Sequence, residues 1–174
     1  MPAFPVPMGG ADLAIRFQEV QYFRQPWFLT STLGISALAW IAFVSQILLG
    51  VPFGNNPGPD DLVWFTLVMF GIIFPAFLLS IHLSVEVRSD AIWLRFFPIH
   101  LRYHQIPRSS IMSHEVITYR PLNDYGGWGI KWGERGKVYN VSGVSGVTLH
   151  LRGGEDVTIG SQRSEELDMV LRSI

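Results

Sequence analysis

Hydrophobic and polar positions follow two different patterns along this chain of 174 residues. No charged residue lies between Arg24 and Asp60, and none lies between Asp61 and Glu86. Each uncharged run exceeds the roughly 20 apolar residues needed to cross a hydrocarbon core. From Glu86 onward, apolar and polar residues alternate over short stretches, which is typical of half-buried strands. The pattern therefore predicts two apolar helices followed by a β domain.

The two uncharged runs predict a transmembrane hairpin at residues 27–85, with spans at about 28–51 and 62–85. A buried core helix and a cleaved signal peptide are the alternatives, and both fit poorly because the runs are long and consecutive. Arg16 and Arg24 precede the first run and three arginines follow the second, whereas the connector "VPFGNNPGPDD" carries no basic residue. By the positive-inside rule, we expect a multi-pass protein with both termini cytoplasmic.

Residues 1–26 form the predicted N-terminal cytoplasmic segment. The segment opens with the Pro/Gly-rich stretch "MPAFPVPMGG", which predicts irregular structure. Leu13, Phe17, Val20 and Phe23 then recur at roughly helical spacing, which favours a short amphipathic helix on the inner membrane surface. A helical extension of the first span fits the same spacing equally well.

Residues 86–174 predict a small antiparallel β domain of about six or seven strands. The clearest hairpin is "GVTLHLRGGEDVTIGS", in which apolar residues alternate and Gly153 and Gly154 supply the turn. The last segment, "SEELDMVLRSI", predicts a C-terminal capping helix with Ser164 as its N-cap. The predicted fold class is an α+β membrane protein, in which a two-helix transmembrane hairpin precedes a small antiparallel β domain with a C-terminal capping helix.

Three blocks of the chain carry a family resemblance: "FQEVQYFRQPW", "YGGWGIKWGERGKVYNVSGVSGVTLHL" and "TIGSQRSEEL". They resemble recurring blocks in a family of uncharacterised small bacterial membrane proteins with two transmembrane helices and a C-terminal pleckstrin-homology-like (PH-like) domain. The resemblance covers nearly the whole chain, and its most specific part runs from Tyr125 to Leu151. It implies a PH-like β domain and a location in the bacterial inner (cytoplasmic) membrane, and it supplies no catalytic residues.

The glycine-rich stretch "DYGGWGIKWGERGKVYN" raises the question of a phosphate-binding loop. Such a loop needs glycines just before a helix N-terminus, usually with Lys and Ser/Thr following. Here the glycines recur at turn-like intervals among aromatic and β-branched residues, and no helical pattern follows. We interpret them as turns and bulges between short strands, with the aromatic side chains packing on the sheet or meeting the membrane or a partner.

Little in the sequence points to catalysis, metal binding or nucleic acid. The chain has no cysteine and a net charge of −1, so thiol chemistry is excluded and nucleic-acid binding has no electrostatic support. Serine-hydrolase and zinc-protease motifs do not occur. We therefore expect no enzyme activity, no cofactor and no metal. One alternative is that His82, near the inner end of the second span, ligates a haem or chlorophyll.

The function predicted from these patterns is a non-catalytic accessory or scaffolding subunit of a larger membrane complex, for example an energy-converting one, respiratory or photosynthetic. The expected partners are other integral membrane subunits and membrane lipids. The predicted helix-packing and partner contacts are Gly34, Ala37, Trp40 and Gly71. The predicted cytoplasmic docking surface consists of Trp128, Trp132 and Tyr139. The alternative function is a membrane-anchored, PH-like sensor that binds lipid or peptide.

Overall fold

The structure is a computed structural model that describes residues 14–133 and 136–174. The chain divides into two units. The helical unit comprises Tyr22–His82, and the β unit combines the described residues up to Gln21 with Leu83–Ile174. The Pro/Gly-rich start that was predicted to be irregular lies outside the described residues. The β unit is discontinuous in sequence, because the helical unit is inserted into it.

The helical unit contains two helices that are long and apolar enough to span a membrane. The first runs from Pro26 to Leu48, and Pro26 suits its first position because the N–H that proline lacks would have no partner there. The second runs from Asp60 to Ser80. The negative charges of the two aspartates in its first turn interact favourably with the positive end of the helix dipole and stabilise the helix start. The segments of the two helices are α1 (Pro26–Phe43), a π-helical turn (Val44–Leu48), α2 (Asp60–Thr66), a π-helical stretch (Leu67–Ile73) and α3 (Phe74–Ser80).

The second apolar helix is shorter than predicted. It ends at Ser80, and His82–Val87 forms a strand, although the span was expected to continue to Val85. An apolar run that serves partly as a helix and partly as a buried strand gives no change of composition at the boundary. Leu83, Val85 and Val87 are indeed all fully buried, as a strand facing a core requires.

The β unit contains two sheets whose strands are mostly antiparallel. The first sheet has the order β1-β2-β3-β4, and the second has the order β5-β8-β9-β7-β6. The first sheet consists of β1 (Phe17–Tyr22), β2 (His82–Val87), β3 (Ala91–Phe97) and β4 (His104–Pro107). The second consists of β5 (Ile111–Thr118), β6 (Gly129–Gly133), β7 (Gly136–Asn140), β8 (Ser145–Leu151) and β9 (Asp156–Gly160). A 3-10 turn (Arg108–Ser110) and the helices α4 (Pro121–Tyr125) and α5 (Ser164–Ser173) complete the unit.

The amphipathic helix predicted before the first span is wrong, because Phe17–Tyr22 is a strand of the first sheet. The burial pattern has a period of two: Phe17, Glu19 and Gln21 are buried and the residues between them are exposed. Two of these three buried side chains are polar, so the apolar spacing alone suggested a helix. Because this strand belongs to the first sheet, the segment is part of the β unit and not a separate N-terminal region.

The second sheet departs from the predicted antiparallel arrangement at one pair. β9 lies between β8 and β7 and pairs with β7 in parallel, with Lys137 opposite Val157 and Tyr139 opposite Ile159. The chain therefore passes from β7 to β8 across the position that β9 later fills. In the described part of the chain, eight strands follow residue 81, rather than six or seven.

The C-terminal helix forms as predicted, but its cap differs. Ser164 is the first helical residue and Arg163 occupies the N-cap position without a side-chain cap. The Ser164 hydroxyl instead lies 2.6 Å from the Ser145 hydroxyl at the start of β8. Leu167 and Leu171 are buried, so α5 presents its apolar face to the second sheet.

Candidate functional site

A polar contact joins the two apolar helices at Gly71. Ser36 Oγ donates a hydrogen bond to the Gly71 carbonyl at 3.0 Å, and Trp40 Nε1 donates to the same oxygen at 3.3 Å. This carbonyl lacks its usual α-helical donor because the residue four positions later, Pro75, has no N–H. A Cβ at Gly71 would lie 3.4 Å from Trp40 Nε1, so the missing side chain also permits the close approach.

The four predicted helix-contact residues separate into two environments. Trp40 contacts buried Gly71 within the helical unit, although 44% of Trp40 stays exposed, whereas Gly34 and Ala37 are exposed without such a contact. Among the described residues, nothing lies within 4 Å of the position that a Cβ on Gly34 would take. Small exposed residues on an apolar helix allow another helix to approach closely, and contact with a partner stays a prediction.

The three predicted docking aromatics do not share one environment. Trp132 on β6 is 70% exposed and Trp128 is half-buried, but Tyr139 on β7 is only 1% exposed. Tyr139 is therefore a core residue, which corrects the prediction that its side chain docks a partner. Other side chains pack against its ring, among them His100, whose ring centre lies 6.0 Å away. Lys137 Nζ lies 4.9 Å from the Trp132 ring centre and 4.6 Å from that of Tyr139. The Lys137 ammonium group therefore contacts both the exposed ring of Trp132 and the buried ring of Tyr139.

The arginine–aromatic cluster, formed by Glu86, Arg88, Trp93, Arg95 and Tyr103, was not predicted. Arg88 stacks over Trp93 at 4.7 Å and Arg95 over Tyr103 at 4.8 Å, and the two rings meet edge-on at 6.3 Å. Buried Glu86 accepts hydrogen bonds from Arg88 Nη2 at 2.8 Å and from Tyr103 Oη at 2.9 Å. Burial, together with the hydrogen bond to Glu86, raises the pKa of Tyr103. Arg95 has no carboxylate partner among the contacts of this cluster.

The sequence did contain a signal for this cluster. Trp93 and Arg95 alternate with the buried Ile92 and Leu94 on β3, so they lie on the face of the sheet away from the core. Tyr103 could not be assigned to the same face, because it lies in the loop before β4. Its place depends on how that loop folds back over the sheet.

Glu19 and Gln21 tie β1 to the connection between β9 and α5. The Ser161 hydroxyl donates to Glu19 Oε2 at 2.6 Å, and the backbone N–H of Gln162 donates to Glu19 Oε1 at 3.0 Å. Gln21 Nε2 donates to the Gly160 carbonyl at 2.8 Å. The blocks "FQEVQYFRQPW" and "TIGSQRSEEL", which lie far apart in sequence, therefore meet in the fold. Their contacts join a strand to the rest of the β unit and expose no reactive group.

The histidines take part in local contacts. His114 Nε2 lies 3.3 Å from Asp168 Oδ1, and Arg172 Nη2 lies 2.8 Å from the other oxygen of the same carboxylate. His82 Nδ1 donates to the Ser80 carbonyl at 2.7 Å. Within residues 14–133 and 136–174, no three His, Asp or Glu side chains are grouped so as to hold a metal ion.

An apolar cleft of about 360 Å³ lies within the helical unit. Its lining is almost entirely aliphatic or aromatic, and the side chains of Gln46 and Thr66 are its polar members. Gln46 Nε2 donates to the Gly58 carbonyl and to an Asp60 carboxylate oxygen, so the amide secures the connector. The cleft holds no arrangement of groups suited to catalysis.

Comparison with known proteins gives a family. A search of curated proteins finds no match to this chain. The model of a family of unknown function, DUF6141, matches residues 8–174, which is nearly the full length. The chain therefore belongs to the family of unknown function DUF6141.

Proposed function

We propose that this protein is a non-catalytic integral membrane protein that serves as an accessory or scaffolding subunit of a larger membrane complex. The observation that carries the proposal is the exposure of the two apolar helices. Only 17% of the most apolar window of the first helix is buried, and 22% of that of the second. A core helix of a soluble protein is mostly buried, whereas here the exposed apolar surface needs lipid or other helices to cover it.

The proposed setting is the inner membrane of a bacterium, with both termini on the cytoplasmic side. The basic residues that flank the helices and the absence of basic residues from the connector support this orientation. A PH-like fold for the β unit is part of the same proposal. Two sheets with a C-terminal helix support a PH-like fold. The parallel β7–β9 pair departs from a purely antiparallel arrangement, so a PH-like fold of this unit would have to include that pair.

The proposed contact with partner subunits lies on the exposed face of the first apolar helix. Gly34 and Ala37 lie on that face with open space around Gly34. Without a hydrophobic driving force between helices in lipid, close packing at small residues is a main source of association. Gly71 is buried against Trp40 and serves the hairpin itself, whereas Trp40 is 44% exposed and can also contact a partner.

The test is affinity purification of the full-length tagged protein from its native membranes in mild detergent, followed by mass spectrometry. We expect co-purifying membrane subunits, and we expect Gly34→Leu to lose them while the hairpin stays intact. Leu33→Ile, at the neighbouring exposed position, is the matched control and should retain them. A wild-type protein that purifies alone as a monomer would refute the subunit proposal.

A second candidate function is a membrane-anchored sensor that binds lipid or peptide through the β unit. The arginine–aromatic cluster favours it, since stacked guanidinium groups are well suited to anionic ligands. The full chain in zwitterionic nanodiscs should then capture anionic vesicles, with capture weakening as salt rises. Arg95→Gln should weaken capture, whereas no capture at low salt excludes the lipid form of this function.

A further inference from the structure

The loop between β3 and β4, residues 98–103, presents two large apolar side chains to solvent. Ile99 is 64% exposed and Leu101 is 75% exposed. A single exposed apolar side chain is ordinary on a protein surface. Here two such side chains alternate with His100 and Arg102 in one short loop, which gives the loop an amphipathic character.

The loop lies at the end of the first sheet that is nearest in sequence to the apolar helices. β2 begins at His82, two residues after the second apolar helix ends at Ser80, so the chain between them spans only about 7 Å. β3 returns antiparallel to β2 after a tight turn, since the Arg88 N–H bonds to the Ala91 carbonyl. The end of β3, and the 98–103 loop after it, are therefore at the end where β2 begins.

The same end of the first sheet carries the connection to the first apolar helix. The ring of Tyr22, the last residue of β1, lies 5.1 Å from the ring of His82. Arg24 stacks over Tyr22 at 5.5 Å, and the first apolar helix begins two residues later at Pro26. Aromatic rings and arginines at the ends of spanning helices are typical of the membrane interface.

The charges near the loop favour an anionic surface. Arg95 precedes the loop and is half-buried, whereas Arg102 lies within the loop and is exposed. The carboxylate in the adjoining arginine–aromatic cluster, Glu86, is buried and already bonded to Arg88 and Tyr103. Its negative charge is therefore compensated within the cluster, which leaves exposed Arg102 and half-buried Arg95 for lipid phosphates.

We propose that the 98–103 loop inserts into the headgroup region of an anionic lipid surface, with Ile99 and Leu101 in contact with acyl chains and Arg95 and Arg102 facing phosphates. The inference rests on the proposed membrane insertion of the two apolar helices. It differs from recognition by a polybasic patch, because residues 86–174 carry 11 basic and 10 acidic residues. The apolar pair supplies the depth of insertion and the arginines supply the preference for anionic lipid.

The test uses the absence of cysteine in the chain, which allows single spin labels to be placed on the full-length protein in nanodiscs. The labelled variants are Leu101→Cys in the loop, Met169→Cys on exposed α5 as the aqueous control, and Ile72→Cys on the exposed face of the second apolar helix as the lipid control. Accessibility to oxygen and to a water-soluble nickel complex is measured in discs with and without about 30% anionic lipid, which forms the negative surface of a cytoplasmic leaflet.

We expect the label at position 101 to favour oxygen over nickel at least several-fold more than the label at position 169, and to lose part of that preference in zwitterionic discs. A water-like signal at position 101 with a lipid-like signal at position 72 overturns the loop proposal and leaves the spans standing. A water-like signal at position 72 overturns both. As a measurement without substitution, amide exchange of the 98–103 segment in the native chain should be slower in anionic discs, and equal exchange in both discs overturns the anionic preference.

Discussion

Glu19 offers a quantitative test of how β1 is held in the β unit. Its carboxylate is buried and accepts two hydrogen bonds, one from Ser161 at 2.6 Å and one from the Gln162 N–H at 3.0 Å. A hydrogen bond to a charged group contributes about 1.5–3 kcal/mol, so Glu19→Ala, which removes both acceptors, should destabilise the docking of β1 by about 3 kcal/mol. Glu19→Gln keeps one acceptor oxygen and should cost about half as much.

Hydrogen exchange measured by mass spectrometry on residues 16–22 is the appropriate assay, because it reports local opening of the strand. Since 1.4 kcal/mol is a factor of ten, we expect exchange about 100-fold faster in Glu19→Ala and about tenfold faster in Glu19→Gln. Gln18→Ala changes the neighbouring exposed side chain on the same strand and is the matched control. If Glu19→Ala exchanges no faster than this control, the two hydrogen bonds do not hold the strand and the reasoning is refuted.

Three further predictions concern the helix contact and two titrating groups. A Cβ at Gly71 would lie 3.4 Å from Trp40 Nε1 on the other helix, so Gly71→Ile should displace the indole and destabilise the hairpin by about 1–3 kcal/mol in thermal melts in detergent. Gly34→Ile, in open space, should leave the melt unchanged, and equal effects would contradict the contact. Burial raises the pKa of Tyr119 to about 12, so the stability that this tyrosine contributes below pH 10 should be lost as pH rises towards 12. In an ultraviolet titration, Tyr119→Phe should lack the tyrosine that ionises at the highest pH. A titration curve identical to that of the wild type would contradict the raised pKa of Tyr119. Burial, and then the charge of Lys137, lower the pKa of His100 below 6.5, so stability should fall as pH drops below 6.5 towards the lower folded pKa. In a nuclear magnetic resonance titration, Lys137→Gln should raise the His100 midpoint, and an unmoved midpoint would exclude the lysine as a cause.

The sequence predicted those parts of the fold that depend on composition alone. Long uncharged runs are sufficient to predict apolar helices, and both occur. The start of β2 at His82 was not predictable in this way, since the same leucines and valines suit a lipid-facing helix and a buried strand. The helix prediction for β1 was wrong for a different reason, because some of its buried residues are polar. Its buried Glu19 and Gln21 are matched by partners about 140 residues away, and local periodicity carries no trace of such partners.

The candidate site likewise combines features that the sequence could predict with features that it could not. The contact at Gly71 has a local cause that the sequence displays, because a proline four residues later removes the donor to its carbonyl. The difference between exposed Trp132 and buried Tyr139 has no local cause. It depends on which rings are covered by distant segments, such as the loop before β4, whose His100 ring lies 6.0 Å from the Tyr139 ring.

The insertion of the helical unit after β1 sets an order of events during synthesis. β1 leaves the ribosome first, yet its partners on the β9–α5 connection follow about 140 residues later, a delay on the order of 10 s at ordinary translation rates. Throughout that interval the nascent strand has an open edge while the two apolar helices are synthesised. Synthesis of both helices therefore comes before closure of the sheets, and a fragment that begins after the helices would lack the strand that completes its first sheet.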